Sequence, residues 1–271
     1  MTRILTFTPV WRRPEIFEIC LTGLKRLQSY RPDKFQIRPF FIVSESQAAQ
    51  QVERYGFDFI YWENKPLGAK KNAGLKYAMQ NFEFDYLMEL GSDDLIANKW
   101  LDIIEPYCLK SVPQITPDSV WFIDVNTKET TYWKTDKILG LGRCISRKAL
   151  AEFAPNYNLW TPERNRGLDT CSWINLASVG IDNLLIEMDD IYTIDLKSEV
   201  NINSIIPYIE VKVAMNRLFR HLPEQGMVQQ LIKRRSGNTG YKEEAIKKRQ
   251  KIMEERSEER LLISFLKKVV V

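Results

Sequence analysis

The first half of the chain alternates short apolar runs with longer segments whose apolar residues recur at helical spacing. Ile4–Thr8 reads as a first strand stopped by Pro9. Pro14 then opens a helix with Ile16, Ile19, Cys20, Leu24 and Leu27 on one face. Ile37–Val43, interrupted by Arg38 and Pro39, is the mostly apolar kind of run that a parallel sheet buries. Ser46–Tyr55 predicts a short helix, Phe57–Trp62 a third strand and Leu67–Asn81 a long helix entered through Pro66. Tyr86–Leu90 predicts a fourth strand and Asn98–Leu109 a further helix.

Strands alternating with helices imply a mainly parallel sheet with right-handed crossovers. Ligands of such sheets bind at the carboxyl ends of the strands. Trp11-Arg12-Arg13, Ser44-Glu45-Ser46 and Asp93-Asp94 all fall at such ends.

The second half changes character. Ser119–Asp124 and Thr130–Trp133 read as strands around a turn, and Gly140-Leu141-Gly142 as a loop. A helix is expected over Arg147–Phe153 and another within Asn165–Gly180, with short strands at Leu184–Glu187 and Ile191–Ile194. This mixed region is expected to extend the sheet and wall the site. From Ile205 onward the pattern reads as helices over Ile205–Leu222, Glu224–Arg235 and Tyr241–Lys268, with a hinge at Ser236–Gly240.

Composition narrows the chemistry. With 44% hydrophobic and 27% charged residues the chain is globular rather than disordered. No run approaches the roughly 18 apolar residues of a membrane helix. Met1–Pro9 is too short and too soon broken for a signal peptide, so a cytoplasmic protein is expected. Cys20, Cys108, Cys144 and Cys171 are scattered, and His221 is the lone histidine. That pattern disfavours structural zinc and histidine-based triads. Catalysis, if present, falls to carboxylates and a metal that they bind.

Gly91-Ser92-Asp93-Asp94 follows an apolar strand. Adjacent carboxylates there suit Mg²⁺ or Mn²⁺, which take few protein carboxylates and share the remaining shell with water and phosphate. Asp is equally favoured as a helix N-cap, so both readings stand at this point.

Further residues carry a resemblance. Asn64-Lys65-Pro66-Leu67-Gly68-Ala69-Lys70-Lys71-Asn72-Ala73-Gly74 resembles the N-x-x-G-x-x-x-A-R-N-x-G segment of family 2 glycosyltransferases, which have the GT-A fold. Lys71 stands at the usual Arg. Thr8-Pro9-Val10-Trp11-Arg12-Arg13-Pro14 resembles the family's first-strand turn, and Gly140–Leu150 and Gly167–Trp173 resemble two later segments. The resemblance implies a GT-A-like, Rossmann-type α/β fold and a nucleoside diphosphate sugar donor, UDP-linked by preference. By the same resemblance Trp11 stacks on the base and Glu45 replaces the Asp that reads it. Arg12, Lys70, Lys71, Asn72 and Ser92 lie near the nucleotide. Asp93 and Asp94 hold Mn²⁺ or Mg²⁺, and Asp169 is the general base of an inverting transfer. Gly91 and Leu168 stand where the family has acids, which keeps a non-catalytic binding or structural protein as an alternative.

The resemblance covers about residues 2–200, so residues 1–204 are expected to form the catalytic domain and 205–271 a basic helical appendage. Residues 212–271 hold 15 Lys and Arg against 7 Asp and Glu, whereas 1–211 hold 24 against 28. Residues 231–271 therefore suit contact with nucleic acid or an anionic membrane surface, as well as plain solvation with Glu–Lys pairs. The acceptor classes left open are a glycan, a lipid and a modified nucleic acid, the last making the protein a DNA-base-modifying glycosyltransferase.

Overall fold

β1 (Thr2–Val10) runs between β2 (Phe35–Val43) and β4 (Tyr86–Glu89), parallel to both. The structure is a computed structural model and describes residues 1–136, 138–153, 156–198, 209–210, 214–237, 240, 243 and 247. The remaining chain order is α1 (Pro14–Gln28), α2 (Ser46–Arg54), β3 (Asp58–Tyr61), α3 (Leu67–Asn81), β5 (Asp94–Ile96), α4 (Asn98–Leu109), β6 (Gln114–Pro117), β7 (Ser119–Asp124) and β8 (Thr130–Lys134). There follow β9 (Cys144–Ser146), α5 (Arg147–Phe153), α6 (Leu168–Ala177), β10 (Leu184–Ile186), β11 (Thr193–Lys197), β12 (Ile209–Glu210), α7 (Met215–Leu218) and α8 (Gln225–Ser236).

Among the described residues the main sheet has the order β10-β6-β9-β4-β1-β2-β3, with β9 antiparallel to both its neighbours and every other pair parallel. The fold is thus a mixed, mainly parallel α/β sheet flanked by helices. Alternation along β2 sorts the core. Phe35, Ile37, Phe41 and Val43 join residues of α1, α2 and α4, while Phe40 and Ile42 join Leu75 of α3 and Leu150 of α5. A second sheet, β12-β8-β7-β11-β5, grows directly from the end of the first, because β5 begins at Asp94, five residues after β4 ends.

Several expectations are corrected. β1 does not stop at Pro9 but pairs through Val10 with Val43. β4 ends opposite Phe7, so beyond that point β1 has β2 alone as neighbour and the absent proline N–H disrupts little. The helix expected over Ile205–Leu222 is replaced, in its described part, by β12, which pairs with β8, and by the short α7. Pro207 lies within that stretch and opposes a continuous helix. The segment Tyr241–Lys268 and the tail beyond it lie outside the described residues apart from 243 and 247.

Part of the supposed basic surface is packing. Leu231 and Ile232 of α8 are buried in the main core beside Val228, and the buried Arg235 pairs with Glu15 of α1 at 2.9 Å. Lys233 and Arg234 are exposed. No helix among the described residues is long and apolar enough to cross a membrane.

Candidate metal and nucleotide-sugar site

A cleft of about 500 Å³ opens at the carboxyl ends of β1 and β4, between the two sheets. Its floor begins where β1 ends. Arg12 and Arg13 are both left-handed, with φ of 57° and 56°, and this pair of unusual conformations sends their side chains apart. Arg12 donates its backbone N–H to Glu45 Oε2 at 2.9 Å and lays its guanidinium 4.3 Å from the Trp11 ring. Arg13 turns inward, to Asp93 Oδ2 at 2.5 Å and Ser92 Oγ at 3.1 Å.

The acids of Gly91–Asp94 do not cap a helix, since Asp94 begins β5 and the N-cap of α4 is Ala97. Gly91 donates its N–H to Asp94 Oδ2 at 2.5 Å, and Leu196 donates to the Asp93 carbonyl at 2.8 Å. The second bond docks β11 on the acidic turn. It also brings in a residue that sequence reasoning missed. Asp195 lies directly opposite Asp94 in the antiparallel β5–β11 pair. Asp93, Asp94 and Asp195 each present a carboxylate oxygen within 4.8 Å of the others.

Burial and mutual repulsion force these acids apart in proton affinity. Burial, then Asp195 and Asp93, hold Asp94 well above the usual carboxylate range. Burial pushes Asp195 up to about 7, although Lys197 opposes the shift. Burial acts the same way on Asp93, but Arg13 and Lys197 outweigh it and hold that acid below the usual range. Lys197, two residues on and on the same face as Asp195, bonds Asp195 Oδ2. Resident Arg and Lys thus balance part of the negative charge, and protons the rest.

The donor set fits a hard divalent cation. It is all oxygen, and Asp195 Oδ1 is buried with no hydrogen-bond partner among the described residues. Gly91 keeps the space open, since a Cβ there would meet Asp93 Oδ1 at 2.7 Å. Asp195 brings the third carboxylate of the cluster from another strand. Glu89, the last residue of β4, is engaged elsewhere. It takes Lys71 Nζ at 2.5 Å and the Arg143 guanidinium, all nearly buried.

Both neighbouring lysines of α3 are buried. Lys70 is fully buried and donates to Val10 O at 2.6 Å and Ser44 Oγ at 2.7 Å, tying the ends of β1 and β2 together. Burial lowers its pKa to about 7. Lys71 also lies 4.2 Å from the Trp160 ring, which stacks on Phe7 inside the core. Asn72 brackets the Trp160 backbone with bonds of 2.7 and 3.0 Å. Gly68 is required where α3 meets the 161–164 loop, because a Cβ would come within 2.1 Å of Thr161 O.

Across the cleft, α6 presents Asp169. Its N-cap is the left-handed Gly167, so Asp169 lies in the first turn rather than at the cap. The Asp169 carboxylate is partly exposed, has no hydrogen-bond partner among the described residues, and faces Gly140, where a Cβ would lie 2.6 Å from Oδ1.

Trp11, Lys70, Lys71, Ser92, Asp93, Asp94 and Asp169 therefore line one cleft, joined by the unforeseen Asp195 and Lys197. Among the described residues Arg12, Glu45 and Asn72 stand outside its lining. Arg12 faces Trp11 and Asn72 is spent on Trp160. Asp195-x-Lys197 on an alternating strand was the available signal, but the strand expected there ended at Ile194.

Neither a protein-family model nor a curated protein matches the chain. Solved structures do resemble it. S. aureus TarS superposes with a TM-score of 0.52 at 14% identity, over 72% of this chain and 37% of that one. A crystal structure of TarS residues 1–349 gives 0.45 at 13% identity, over 72% of this chain and 60% of the other. CMP:2-keto-3-deoxy-manno-octonic acid synthetase complexed with CTP gives 0.44 at 15%, over 69% and 90%. The chain thus spans less than two thirds of both TarS structures. The likeness to TarS is one of fold, and the fold is the GT-A-like one expected from the sequence.

Proposed function

We propose that the protein is a glycosyltransferase that moves a sugar from a nucleoside diphosphate sugar to an acceptor hydroxyl with inversion. The reading rests on one observation: a cluster of three carboxylates and the unpartnered Asp169 line the same cleft. The GT-A-like fold and the resemblance of residues 64–74 to the family 2 segment support it.

In this reading Trp11 offers an aromatic face to the base, in the part of the cleft that Lys70 braces. Asp93, Asp94 and Asp195 hold Mn²⁺ or Mg²⁺, which neutralises charge on the leaving nucleoside diphosphate when bound. Arg13 and Lys197 add fixed positive charge beside the phosphates. Asp169 takes the proton of the acceptor hydroxyl. The hydroxyl oxygen bonds to the anomeric carbon from one side as the bond to the diphosphate breaks on the other. A positioned base of this kind contributes about 10²–10⁴-fold.

The test is a thermal-shift screen of nucleoside diphosphates, with and without Mn²⁺, on the unsubstituted protein and on Asp93→Ala. A ligand of the folded state at a hundredfold excess over Kd adds about 2.7 kcal/mol of stability. A Mn²⁺-dependent shift for one nucleotide, lost in Asp93→Ala, supports the reading and names the base. No shift with any nucleotide replaces it with the non-catalytic one.

A further inference from the structure

Beneath the cleft lies a charged network centred on Arg143, which with Ser172 stands behind the cleft's lining, while Glu89 reaches that lining. Arg143 is fully buried at the end of the 140–143 loop. Its Nε donates to Glu89 Oε2 at 2.5 Å and its Nη2 to Ser172 Oγ at 2.6 Å. Ser172 Oγ in turn donates to the Asp169 carbonyl at 3.0 Å. The Arg143 N–H donates to Gly140 O at 3.2 Å, and the Glu89 N–H donates to Arg143 O at 2.8 Å. One guanidinium thus joins the end of β4, which leads into Asp93, to the first turn of α6, which carries Asp169. Its main chain joins the same strand to Gly140, the residue packed against the Asp169 carboxylate.

Stability alone gives no reason for this arrangement. Glu89 already has Lys71, so the second cation leaves the cluster with net positive charge in a buried place. Apolar replacement of buried charge is often neutral or stabilising. What a planar five-donor fork supplies is fixed geometry among several acceptors.

We propose that Arg143, acting on the first turn of α6 directly and through Ser172, is a positioning residue that sets Asp169 at its working distance and angle from the acid cluster. This rests on the transferase reading. Misplacing a reacting group by about 1 Å costs about 10²-fold in rate, so the effect belongs in turnover rather than in donor binding.

The experiment measures Mn²⁺-dependent hydrolysis of UDP-, GDP- and dTDP-sugars, water serving as acceptor, by Ser172→Ala, Arg143→Met and Arg143→Lys. Ser172→Ala removes the hydroxyl relay without touching a charge and leaves the direct 3.4 Å bond from Arg143 Nη1 to the Asp169 carbonyl. It is expected to lower kcat about tenfold, and Arg143→Met about 10²-fold, with Arg143→Lys between them and the donor KM unchanged within about twofold. In an Asp169→Asn background the same substitutions should cause no further loss, because they act through that carboxylate. Unchanged kcat in Ser172→Ala and Arg143→Met, or losses that multiply with that of Asp169→Asn, would overturn the inference and leave the transferase reading intact. No turnover of any sugar nucleotide by the unsubstituted protein would overturn both.

Discussion

Replacing Asp195 by Asn should make the metal-free protein more stable and the metal-loaded protein less so. The carboxyl of Asp195 is pushed up to about 7 by burial. In an unfolded chain it would titrate near 3.9. Between those values the folded chain keeps a proton that the unfolded chain has released, so stability falls as pH rises through that window. Above it the deficit is complete. That gap corresponds to about 4 kcal/mol as an upper bound. Asn removes the deficit but also takes from Lys197 its closest partner, bonded at Asp195 Oδ2. Lys197 keeps a favourable interaction with Asp93, so the net gain should be about 1–2 kcal/mol. For a chain of this size that is a rise in Tm of about 2–8 °C in EDTA at about pH 8. With Mn²⁺ the order reverses, because the variant has lost a ligand whose second oxygen is otherwise unpartnered. Differential scanning calorimetry of both proteins, in EDTA and in millimolar Mn²⁺, reads the two effects together. A lower Tm in EDTA with an undiminished Mn²⁺ shift would refute both the electrostatic argument and the assignment of Asp195 to the metal.

Three further outcomes follow from the packing. Gly91→Asp, which puts back the acid of the family pattern, should weaken Mn²⁺ binding in calorimetric titration, because its Cβ would lie 2.7 Å from Asp93 Oδ1 and its side chain would crowd a fourth carboxyl into the cluster. Gly140→Ala should lower turnover at least about tenfold with nucleotide affinity kept, since its Cβ would displace the Asp169 carboxylate, and kcat against Kd reads this. Lys70 has a pKa lowered to about 7 by burial, so from there towards about 10 the unfolded chain binds a proton that the folded chain lacks, and stability gains with pH. Urea denaturation at rising pH should show that gain in the unsubstituted protein minus Lys70→Met, and a flat difference would refute the assignment.

Most of the parallel half was legible because each of its elements carries its own period. Leu67–Asn81 and Asn98–Leu109 are found with the bounds their patterns imply. The resemblance likewise pointed to Asp93, Asp94 and Asp169, all of which line the cleft. What escaped was long-range. β9 is three residues long and owes its place to neighbours on both sides. Asp195 is remote from the acidic turn in sequence and joins it through strand pairing alone. The buried partners of the lysine pair on α3 escaped as well, because charge density in a sequence does not say which carbonyls and carboxylates will meet it. Of the two arginines after β1 the sequence reading put Arg12 near the nucleotide, whereas the left-handed backbone of the pair turns Arg13 into the cleft instead.

The β5–β11 pairing gives the acidic cluster an unusual dependence. Successive side chains of a strand point to opposite faces. Slipping β11 by one residue would turn Asp195 and Lys197 away together and present Ile194 and Leu196 to Asp93 and Asp94. The acids would then face hydrocarbon, with no base substituted and no helix lost. What holds the register is hydrocarbon: Ile194 and Leu196 are fully buried and β11 pairs with both β5 and β7. Two apolar residues that never touch the cleft therefore decide which way its acid and its lysine face.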